Sequence, residues 1–397
     1  MRVNVFLNIE RERKFLGTLS DDGGIFFQYA DEFLKTGIEV SPLVLPLTDS
    51  AWKSSSTLFN GLPGLVADSL PDGWGNLLLD RQLLRQGRRL HQISPLERLS
   101  WVGDQGMGAL EYEPAENLDN VHPLEIHLDA IADDVESILS EKESREVLDI
   151  LRGLNGSSGG ARPKVVCLIS DNFKTLARGT DFEKGLSPWI VKFNQAEDAK
   201  DLGVQEFICA LIAKKAGIDL PQTHLFESSK GPGWFAIERF DRSPKGKIHM
   251  QTAAGLLHCD FRLPSLDYQS LMALSGRLCG QKTILEMFKR AVLNYSLGNC
   301  DDHAKNFSFL MNSDGQWRLS PGYDIVPSAS FNSEHMTAVL GEGKQPTREL
   351  FLRLASKFEL PRAASIRAMD EVAEAVSLYS DLARQYGVKP SPLVKEI

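Results

Sequence analysis

The chain has 397 residues and an ordinary globular composition, with 42% hydrophobic and 24% charged residues. Because single cores rarely exceed about 250–300 residues, a chain of this length is expected to divide into two or three compact units. Its net charge of −9 argues against a protein that wraps nucleic acid over its whole surface, since such surfaces are usually basic.

The cysteines and the apolar runs also limit the class of protein. Five cysteines are scattered through the chain and form no C-x-x-C pair: Cys167, Cys209, Cys259, Cys279 and Cys300. Neither a disulfide framework nor a zinc site is therefore predicted, and a reducing compartment fits. No apolar run is long enough to span a bilayer, and the start of the chain lacks the apolar core of a signal peptide. We expect a cytoplasmic protein with no membrane partner.

Residues 1–112 are predicted to form an α/β subdomain. Residues 1–10 alternate polar and apolar side chains as a half-buried strand does, and a turn at residues 21–24 separates two further strand patterns. Residues 70–74 lead into leucines at helical spacing, which predicts a scaffold helix. The basic run at residues 81–91 is interpreted as a solvated face. Residues 102–110 are a glycine-rich turn into a strand, without the G-x-G-x-x-G of a dinucleotide site.

A second unit begins with amphipathic helix patterns over residues 128–151 and continues into a glycine-rich loop, residues 154–164. Gly159 and Gly160 allow the backbone to turn tightly and approach phosphates with N–H groups, while Lys164 adds positive charge. The loop is neither a Walker A motif nor the G-x-G-x-x-G of protein kinases, and alone it would suit a flexible surface loop. A strand pattern follows it, as in the small lobe of a kinase.

Lys192 interrupts an apolar strand pattern at residues 188–193, where a single lysine is normally an edge-strand or snorkelling residue. In protein kinases such a strand carries the lysine that contacts the α and β phosphates. Its expected partner is an acidic residue on the next helix, and Glu206 lies on a helix pattern at residues 201–216. The following strand pattern ends where a kinase hinge would offer main-chain groups to adenine, here from Glu238 and Phe240.

The most specific motif is D-D-H-A-K-N at residues 301–306, which we call the DDHAKN loop, followed by Asp324. Protein kinases place the Asp of the catalytic loop five residues before its Asn, the interval from Asp301 to Asn306. Phosphoryl transfer needs a carboxylate beside the incoming hydroxyl, with an amide oxygen and a second carboxylate on Mg²⁺. A D-x4-N string alone would also suit a solvated loop, but the order of all these signals favours a kinase.

Between the two carboxylates, residues 307–319 predict a hairpin that would hold Asp301 and Asp324 at one end. Residues 266–297 predict two helices, and the apolar stripe from residue 361 onward predicts one long helix.

With these motifs the chain resembles the HipA family of bacterial serine/threonine kinases, the toxins of two-gene toxin–antitoxin systems. The blocks that carry the resemblance are residues 62–84 and 102–110 for the N-terminal unit, and 157–164, 189–192, 237–242, 301–309 and 323–324 for the kinase core. It implies an α+β, two-lobed protein-kinase-like fold, strand-rich in its N-terminal half and mainly helical in its C-terminal lobe. The expected divisions are an N-terminal α/β subdomain (1–112), a small lobe with the Gly-rich loop (113–240) and a helical lobe with the catalytic and metal-binding loops (241–397).

The resemblance also assigns residues to roles. Asp301 is implied as the catalytic carboxylate, Asn306 and Asp324 as the Mg²⁺ ligands, and Glu206 as the support of Lys192. ATP-binding residues are implied along the whole site: Gly159, Gly160, Ala161, Arg162, Lys164, Lys192, Glu238, Phe240, His303, Lys305, Asn306, Tyr323 and Asp324.

Family members phosphorylate a serine in their own Gly-rich loop and then lose activity. Ser157 matches that serine by position, with Ser158 as the neighbouring alternative. A phosphate there adds about −1.5 to −2 charges and would repel those of ATP. The loop departs from the family at Arg162 and Pro163, where Gln-Glu is often found.

The implied function is that of a Mg-ATP-dependent serine/threonine protein kinase acting as a growth-inhibiting toxin. Its substrate would be a translation component such as an aminoacyl-tRNA synthetase. Its partner would be a small helix-turn-helix antitoxin like HipB, through which alone it would meet DNA. Because D-x-H-x-x-N is similar to a motif of phosphoinositide kinases, a small-molecule or lipid kinase is an alternative. A regulator that acts mainly through antitoxin and DNA binding is another.

Overall fold

The structure is a computed structural model that describes residues 1–116, 126–155, 159–195 and 198–395. Ser157 and Ser158, the predicted sites of autophosphorylation, lie outside the described residues. The described chain has a strand-rich N-terminal half and a mainly helical C-terminal part, which confirms the predicted fold class. None of its helices combines the length and apolarity needed to cross a membrane.

The N-terminal subdomain is an antiparallel sheet covered by helices. Its elements are β1 (Arg2–Ile9), β2 (Glu12–Asp21), β3 (Ile25–Tyr29), α1 (Asp31–Leu34), β4 (Trp52–Lys53), α2 (Gly64–Ala67), α3 (Gly73–Arg85), α4 (Pro95–Val102) and β5 (Leu110–Glu113). The strand order is β4–β3–β2–β1–β5. Alternate residues of β1 are buried, since successive side chains point to opposite faces, and Val3 and Val5 share one core with Leu96 and Leu99 of α4. The predicted strand, hairpin and helix are therefore confirmed.

The second unit holds another five-stranded sheet. Its elements are α5 (Leu128–Leu139), α6 (Arg145–Asn155), β6 (Lys164–Ser170), β7 (Leu176–Ala177), β8 (Leu186–Lys192), α7 (Leu202–Lys215), β9 (Thr223–Phe226) and β10 (Trp234–Glu238). The strand order is β7–β6–β8–β10–β9, so β8 is central and Lys192 is not an edge-strand residue. Lys164 of β6 pairs directly with Lys192 in the strand register. Both side chains therefore lie on the same face of the sheet.

The C-terminal lobe follows. Its elements are β11 (Arg242–Ser243), β12 (Gly246–Lys247), β13 (His249–Thr252), α8 (Ala253–Leu257), β14 (Leu266–Asp267), α9 (Tyr268–Cys279), α10 (Lys282–Leu297), β15 (Ser308–Met311), β16 (Trp317–Leu319), β17 (Thr337–Ala338), α11 (Arg348–Lys357), α12 (Arg362–Ser377) and α13 (Tyr379–Gln385). Helix α10 packs against α9 and α12 in the main core. The predicted β15–β16 hairpin forms and takes β13 as a third strand. The single long helix predicted for the tail is wrong, because the helix breaks at Leu378.

The basic run at residues 81–91 is largely the exposed face that the sequence predicted, since Arg85, Arg88 and Arg89 are exposed, but its first arginines also contact the second unit. Nη1 of Arg81 lies 2.8 Å from the carboxylate of Glu143, and Arg85 lies 3.4 Å from the same group. Glu143 belongs to the turn between α5 and α6, so these two ion pairs run from the N-terminal subdomain to the second unit. These arginines therefore join α3 to the second unit.

The core of the N-terminal subdomain is completed by a residue from far along the chain. Met311, at the end of β15, is fully buried in the same cluster as Leu16 and Leu62. The backbone N–H of Glu10 also donates to the carbonyl oxygen of Lys247 at 3.0 Å. The subdomain and the C-terminal lobe thus share both apolar packing and main-chain hydrogen bonds.

A close backbone contact between these two parts joins α2 to α8. A Cβ atom on Gly64 would stand 2.1 Å from the carbonyl oxygen of Gly255, and one on Gly255 would stand 2.3 Å from Oδ2 of Asp68. Asp68 itself accepts hydrogen bonds from the N–H and the hydroxyl of Thr252, at 2.7 and 2.8 Å. Only glycine fits at Gly64 and Gly255 with the backbones at this separation.

We expect Gly64→Ala to lower the free energy of unfolding by about 1–3 kcal/mol, the usual cost of overpacking, because the new methyl group would push α2 away from α8. Denaturant titration followed by tryptophan fluorescence measures the change. Gly231→Ala is the control, since the nearest atom to a Cβ there, the carbonyl oxygen of Lys200, is 3.9 Å away. An equal loss in both variants would contradict close packing as the cause.

Candidate active site

A cavity of about 420 Å³ lies where the second unit, the C-terminal lobe and the N-terminal subdomain meet. It is lined by most of the predicted nucleotide-binding residues: Gly159, Gly160, Ala161, Lys164, Lys192, Glu238, Phe240, His303, Lys305, Asn306, Tyr323 and Asp324. Arg162 is predicted for the same site but does not line the cavity, and its guanidinium lies 3.7 Å from the carboxylate of Asp198. The fold thus gathers predicted residues from five separate stretches of sequence around one volume.

Lys192 is the central charge of the cavity. Its ammonium donates to Glu206 of α7 and, at 2.7 Å, to Oδ1 of Asp324. Burial would raise the pKa of Asp324, but the ammonium groups of Lys192 and Lys164 outweigh it and hold that pKa well below its usual range. Burial raises the pKa of Glu206, and Lys192 acts in the opposite direction. The structure therefore brings the predicted lysine, helix glutamate and metal-ligand aspartate together.

Lys164 supplies a second ammonium on the same face of the sheet. Its Nζ donates to the carbonyl oxygen of Gly159 in the Gly-rich loop. Burial, with repulsion from Lys192, lowers the pKa of Lys164 to about 8. An anionic ligand in the cavity would favour the charged form of this lysine, because opposite charge stabilises the protonated state.

The DDHAKN loop is anchored through Asp302, which points inward. Its fully buried carboxylate accepts hydrogen bonds from the hydroxyl of Tyr268 at 2.8 Å and from the N–H of Thr337 at 3.1 Å. It also lies 3.2 Å from Nδ1 of His335. Burial lowers the pKa of His335, but hydrogen bonding and charge from Asp302, together with those from Cys300, outweigh it and raise the pKa to about 9. Asp302 and His335 are therefore a buried ion pair at neutral pH.

Asp301 points the other way, toward solvent, with 64% of its side chain exposed, and it is not among the residues that line the cavity. Partial removal from water raises the pKa of the Asp301 carboxyl; His303 opposes this shift and Asp324 adds to it. Helix α10 ends just before the loop at Gly298, whose φ of 64° is the left-handed conformation that glycine adopts readily. The helix end and the inward Asp302 leave Asp301 exposed, close enough to Asp324 for the two charges to interact.

Asn306 and Asp324 are the residues that could hold a metal ion. Nδ2 of Asn306 donates to the main-chain oxygen of Asp301 at 2.8 Å, so its Oδ1 is the atom that can ligate. Mg²⁺ is commonly held by one or two protein carboxylates together with waters and substrate phosphates, and an ionised Asp324 beside an amide oxygen fits this pattern. The described residues contain no group of three or more His, Cys, Asp or Glu side chains suited to a metal ion.

The segment that follows β10 forms the wall where adenine was predicted to bind. Ile237 and Phe240 line the cavity there, and the Phe240 ring lies 5.3 Å from that of Tyr323. The N–H of Glu238, however, donates to the carbonyl oxygen of Gln222 at 2.9 Å. The N–H of Glu238, one of the main-chain groups predicted to contact adenine, therefore already has a hydrogen-bond partner within the protein.

Behind this wall, the fully buried carboxylate of Asp241 lies between two arginines. Arg239 and Arg242 each donate to Oδ2 of Asp241 at 2.7 Å. The N–H of Gly108 donates to the same oxygen at 2.7 Å, and Arg242 donates to the carbonyl oxygen of Gly108 at 2.9 Å. Burial alone would raise the pKa of Asp241, but the two arginines outweigh it and hold the pKa well below its usual range. This cluster attaches the glycine-rich turn of the N-terminal subdomain to the cavity wall.

The N-terminal subdomain also places Asp72 in the cavity, a residue that sequence analysis assigned to the entry of a scaffold helix. Asp72 stands at the N-cap position of α3, yet its side chain does not cap that helix. It accepts instead from Nζ of Lys305 at 2.7 and 2.9 Å and from the N–H of Gly160 at 3.3 Å. Since an Asp cap is commonly worth about 0.5–2 kcal/mol, helix stability is forgone here in favour of a contact across the cavity.

Comparison with known proteins identifies two matching domain families and a similar fold. Residues 156–378 match the HipA-like C-terminal domain and residues 7–113 match the HipA N-terminal domain. A chain from the Shewanella oneidensis MR-1 toxin–antitoxin complex of HipA, HipB and operator DNA aligns with a TM-score of 0.69 at 19% identity, covering 97% of this chain and 90% of that one.

Two curated proteins are also similar. "Putative kinase Y4dM" of Sinorhizobium fredii is 26% identical over 204 residues, which cover 47% of this chain and 50% of that protein. "Putative kinase" of Haemophilus influenzae is 26% identical over 189 residues, which cover 43% of this chain and 52% of that protein. The chain spans about half the length of the curated relatives it matches.

The central-strand lysine, the helix glutamate and the loop carboxylates around one cavity define a two-lobed, protein-kinase-like fold. The two matched domains then identify the lineage: the chain belongs to the HipA family. This confirms the family that the sequence motifs indicated.

The raised pKa of His335 gives a testable pH dependence. A histidine whose pKa is about 9 when folded and about 6.5 when unfolded contributes stability that is complete below pH 6.5 and is lost as pH rises through 9. We expect the wild type to be more stable than His335→Gln at about pH 6, by roughly 3 kcal/mol at most, and to lose this advantage by about pH 9.

Glutamine keeps a donor for Asp302 but does not titrate near neutral pH. Denaturant titrations of both proteins across this pH range measure the difference in their free energies of unfolding. Lys164 titrates equally in both proteins, so its effect cancels in this difference. A difference that stays constant with pH would contradict the ion pair.

Proposed function

We propose that this protein is a Mg-ATP-dependent serine/threonine protein kinase that acts as the growth-inhibiting toxin of a toxin–antitoxin pair. The observation that carries the proposal is the ammonium of Lys192 held between Glu206 and Asp324, in a cavity that is also lined by Asn306 of the loop that contains Asp301. Phosphoryl transfer depends mainly on positioning and on neutralising charge, and these groups supply both.

In the proposed reaction, Asp301 orients the hydroxyl of the protein substrate and accepts its proton as the new O–P bond forms and ADP leaves. Its raised pKa favours this role, because a general base works best with a pKa nearer the operating pH. Lys192 contacts the α and β phosphates, and Glu206 fixes the direction of its ammonium. Asn306 and Asp324 would hold Mg²⁺, which when bound would neutralise charge on the phosphates. No covalent intermediate on the enzyme is needed.

The remaining lining residues bind the nucleotide in this proposal. The main chain of Gly159, Gly160 and Ala161, together with Lys164 and Arg162, faces the phosphates. The segment containing Glu238 and Phe240 holds adenine against an apolar wall. His303, Lys305 and Tyr323 complete the site from the C-terminal lobe. The division at residues 112 and 240 into subdomain, small lobe and C-terminal lobe is part of the same proposal.

The partner and the regulation are proposed from the family. The S. oneidensis HipA structure includes HipB and operator DNA, which supports a small helix-turn-helix antitoxin as the partner here. The net charge of −9 supports contact with DNA through that partner rather than directly. Autophosphorylation at Ser157, or at Ser158, would switch the kinase off. A translation component such as an aminoacyl-tRNA synthetase is the proposed substrate, which places the reaction in the cytoplasm.

We expect Asp301→Ala to reduce phosphate transfer from labelled ATP by about 10²–10⁴-fold, the usual contribution of a general base, and Asp324→Ala to abolish it. Radiolabel transfer and intact mass measure the effect, and peptide mapping of the labelled protein tests Ser157 and Ser158. Asp314→Ala, which removes an exposed carboxylate from the β15–β16 turn, is the matched control. Absence of transfer by unphosphorylated wild type that binds ATP would overturn the kinase proposal and favour a regulator acting through its antitoxin.

We expect Glu206→Gln to lower kcat/KM for ATP by about 10- to 100-fold, since a hydrogen bond between charged groups is worth about 1.5–3 kcal/mol. The reason is that Lys192 would turn toward its remaining partner, Asp324. Steady-state kinetics with varied ATP measure the loss. Glu371→Gln removes an exposed ion pair with Lys289 and serves as the control. Equal kinetics for wild type and Glu206→Gln would remove Glu206 from the mechanism.

A further inference from the structure

The phosphate end of the cavity contains a carboxylate that the proposed reaction does not use. Asp72, from the N-terminal subdomain, accepts both from the ammonium of Lys305 in the DDHAKN loop and from the N–H of Gly160 in the Gly-rich loop. The two donors belong to the two loops that close on the phosphates in the proposed function. One side chain from a third part of the chain therefore joins them.

The first turn of α3 packs along the Gly-rich loop beyond this contact. The indole N–H of Trp74 donates to the carbonyl oxygen of Lys164 at 3.2 Å. The main-chain N–H of Trp74 donates to the carbonyl oxygen of Gly160 at 3.4 Å. A Cβ atom on Gly73 would stand 2.8 Å from Cα of Ala161. The described part of the loop therefore rests on the start of α3, and Asp72 stands at the point where this support meets the DDHAKN loop.

The pair between Asp72 and Lys305 has the features of a fixed contact. Only 16% and 13% of the two side chains are exposed, so water and salt screen the pair less than a surface pair. The ammonium of Lys305 also lies 4.4 Å from the centre of the Phe261 ring, a favourable cation–π position. Helix α3 has separate attachments further along, such as the pair between Asp80 and Arg98 at 2.7 Å. Asp72 is therefore not required to keep the helix in place.

From these contacts we infer that Asp72 is a positioning residue for phosphoryl transfer, which fixes the separation of the Gly-rich loop and the DDHAKN loop through Gly160 and Lys305. The inference rests on the proposed function and deepens it, because it makes the N-terminal subdomain a component of the active site. Asp72 binds neither the metal nor the substrate in this scheme. It acts only through the two loop residues that it holds.

The main test compares Asp72→Asn with the matched control Asp80→Asn, which breaks an ion pair on the same helix away from the cavity. Asparagine keeps the size of the side chain and is itself a good N-cap residue, so folding is preserved. We expect Asp72→Asn to lower the single-turnover rate of phosphate transfer about 10- to 100-fold, because small misplacements of reacting groups have effects of this size. The dissociation constant for Mg-ATP, measured by calorimetry, should change much less, since the contacts from Lys192 and the adenine wall remain. Asp80→Asn should match the wild type in both.

A double-mutant cycle and hydrogen exchange separate this role from a general structural one. Lys305→Met should lower the rate at least as much as Asp72→Asn, because Lys305 also lines the nucleotide site, and the double variant should be no worse than Lys305→Met alone, because the link to Asp72 is already broken there. Amide exchange of residues 159–164 in the nucleotide-free protein should become faster in Asp72→Asn and stay unchanged in Asp80→Asn.

The outcomes distinguish this inference from the proposed function. Additive losses in the double variant, or unchanged exchange of the loop in Asp72→Asn, would overturn the positioning role even if the kinase is active. If the wild type transfers no phosphate, the proposed function fails, and the exchange experiment still decides whether Asp72 fixes the loop.

Discussion

The site depends on one ammonium group shared by two carboxylates. Lys192 is buried on a central strand, where an unpaired charge would be costly, and Glu206 and Asp324 together compensate it. One partner comes from α7 and the other from the segment after β16. The three side chains therefore fix the positions of the helix, the sheet and the C-terminal lobe relative to one another. Displacement of any of these parts would leave a buried charge without a partner. The geometry of the cavity is therefore coupled to the packing of the whole kinase-like core.

A second layer of buried charge connects the N-terminal subdomain to that core. Asp241 with its two arginines holds the glycine-rich turn of the subdomain behind the cavity, while Asp72 reaches Lys305 in front. Buried pairs of this kind contribute little net stability, but removing one member strongly destabilises the protein. They therefore favour a single relative position of the parts. The subdomain is thus held on two sides of the cavity, by groups that tolerate little displacement.

The sequence predicted the fold class, the family, and the pairing of Lys192 with Glu206, because these signals come from motifs within a strand, a helix and a loop; the second partner of Lys192, Asp324, was not predicted. Asp72 and the pair of Asp302 with His335 were missed for a physical reason. Asp72 and Lys305 are far apart in sequence, and their contact exists only once both domains have docked. In the D-D pair, sequence alone did not indicate that Asp302 turns inward while Asp301 turns outward. The contacts of Arg81 and Arg85 with Glu143 were also missed, because Glu143 lies in a turn whose position depends on the tertiary fold.

The place of Met311 in the N-terminal core has a consequence for how the protein is made. Residues 2–113 of that subdomain leave the ribosome well before Met311, by about 10–40 s at the usual 5–20 residues per second. During this interval the site that Met311 occupies in the core of the nascent subdomain is empty. Met311 fills it only after β15 has been synthesised, directly after the DDHAKN loop. Completion of the N-terminal core is therefore delayed until the residues of the candidate active site up to the β15 strand have been translated.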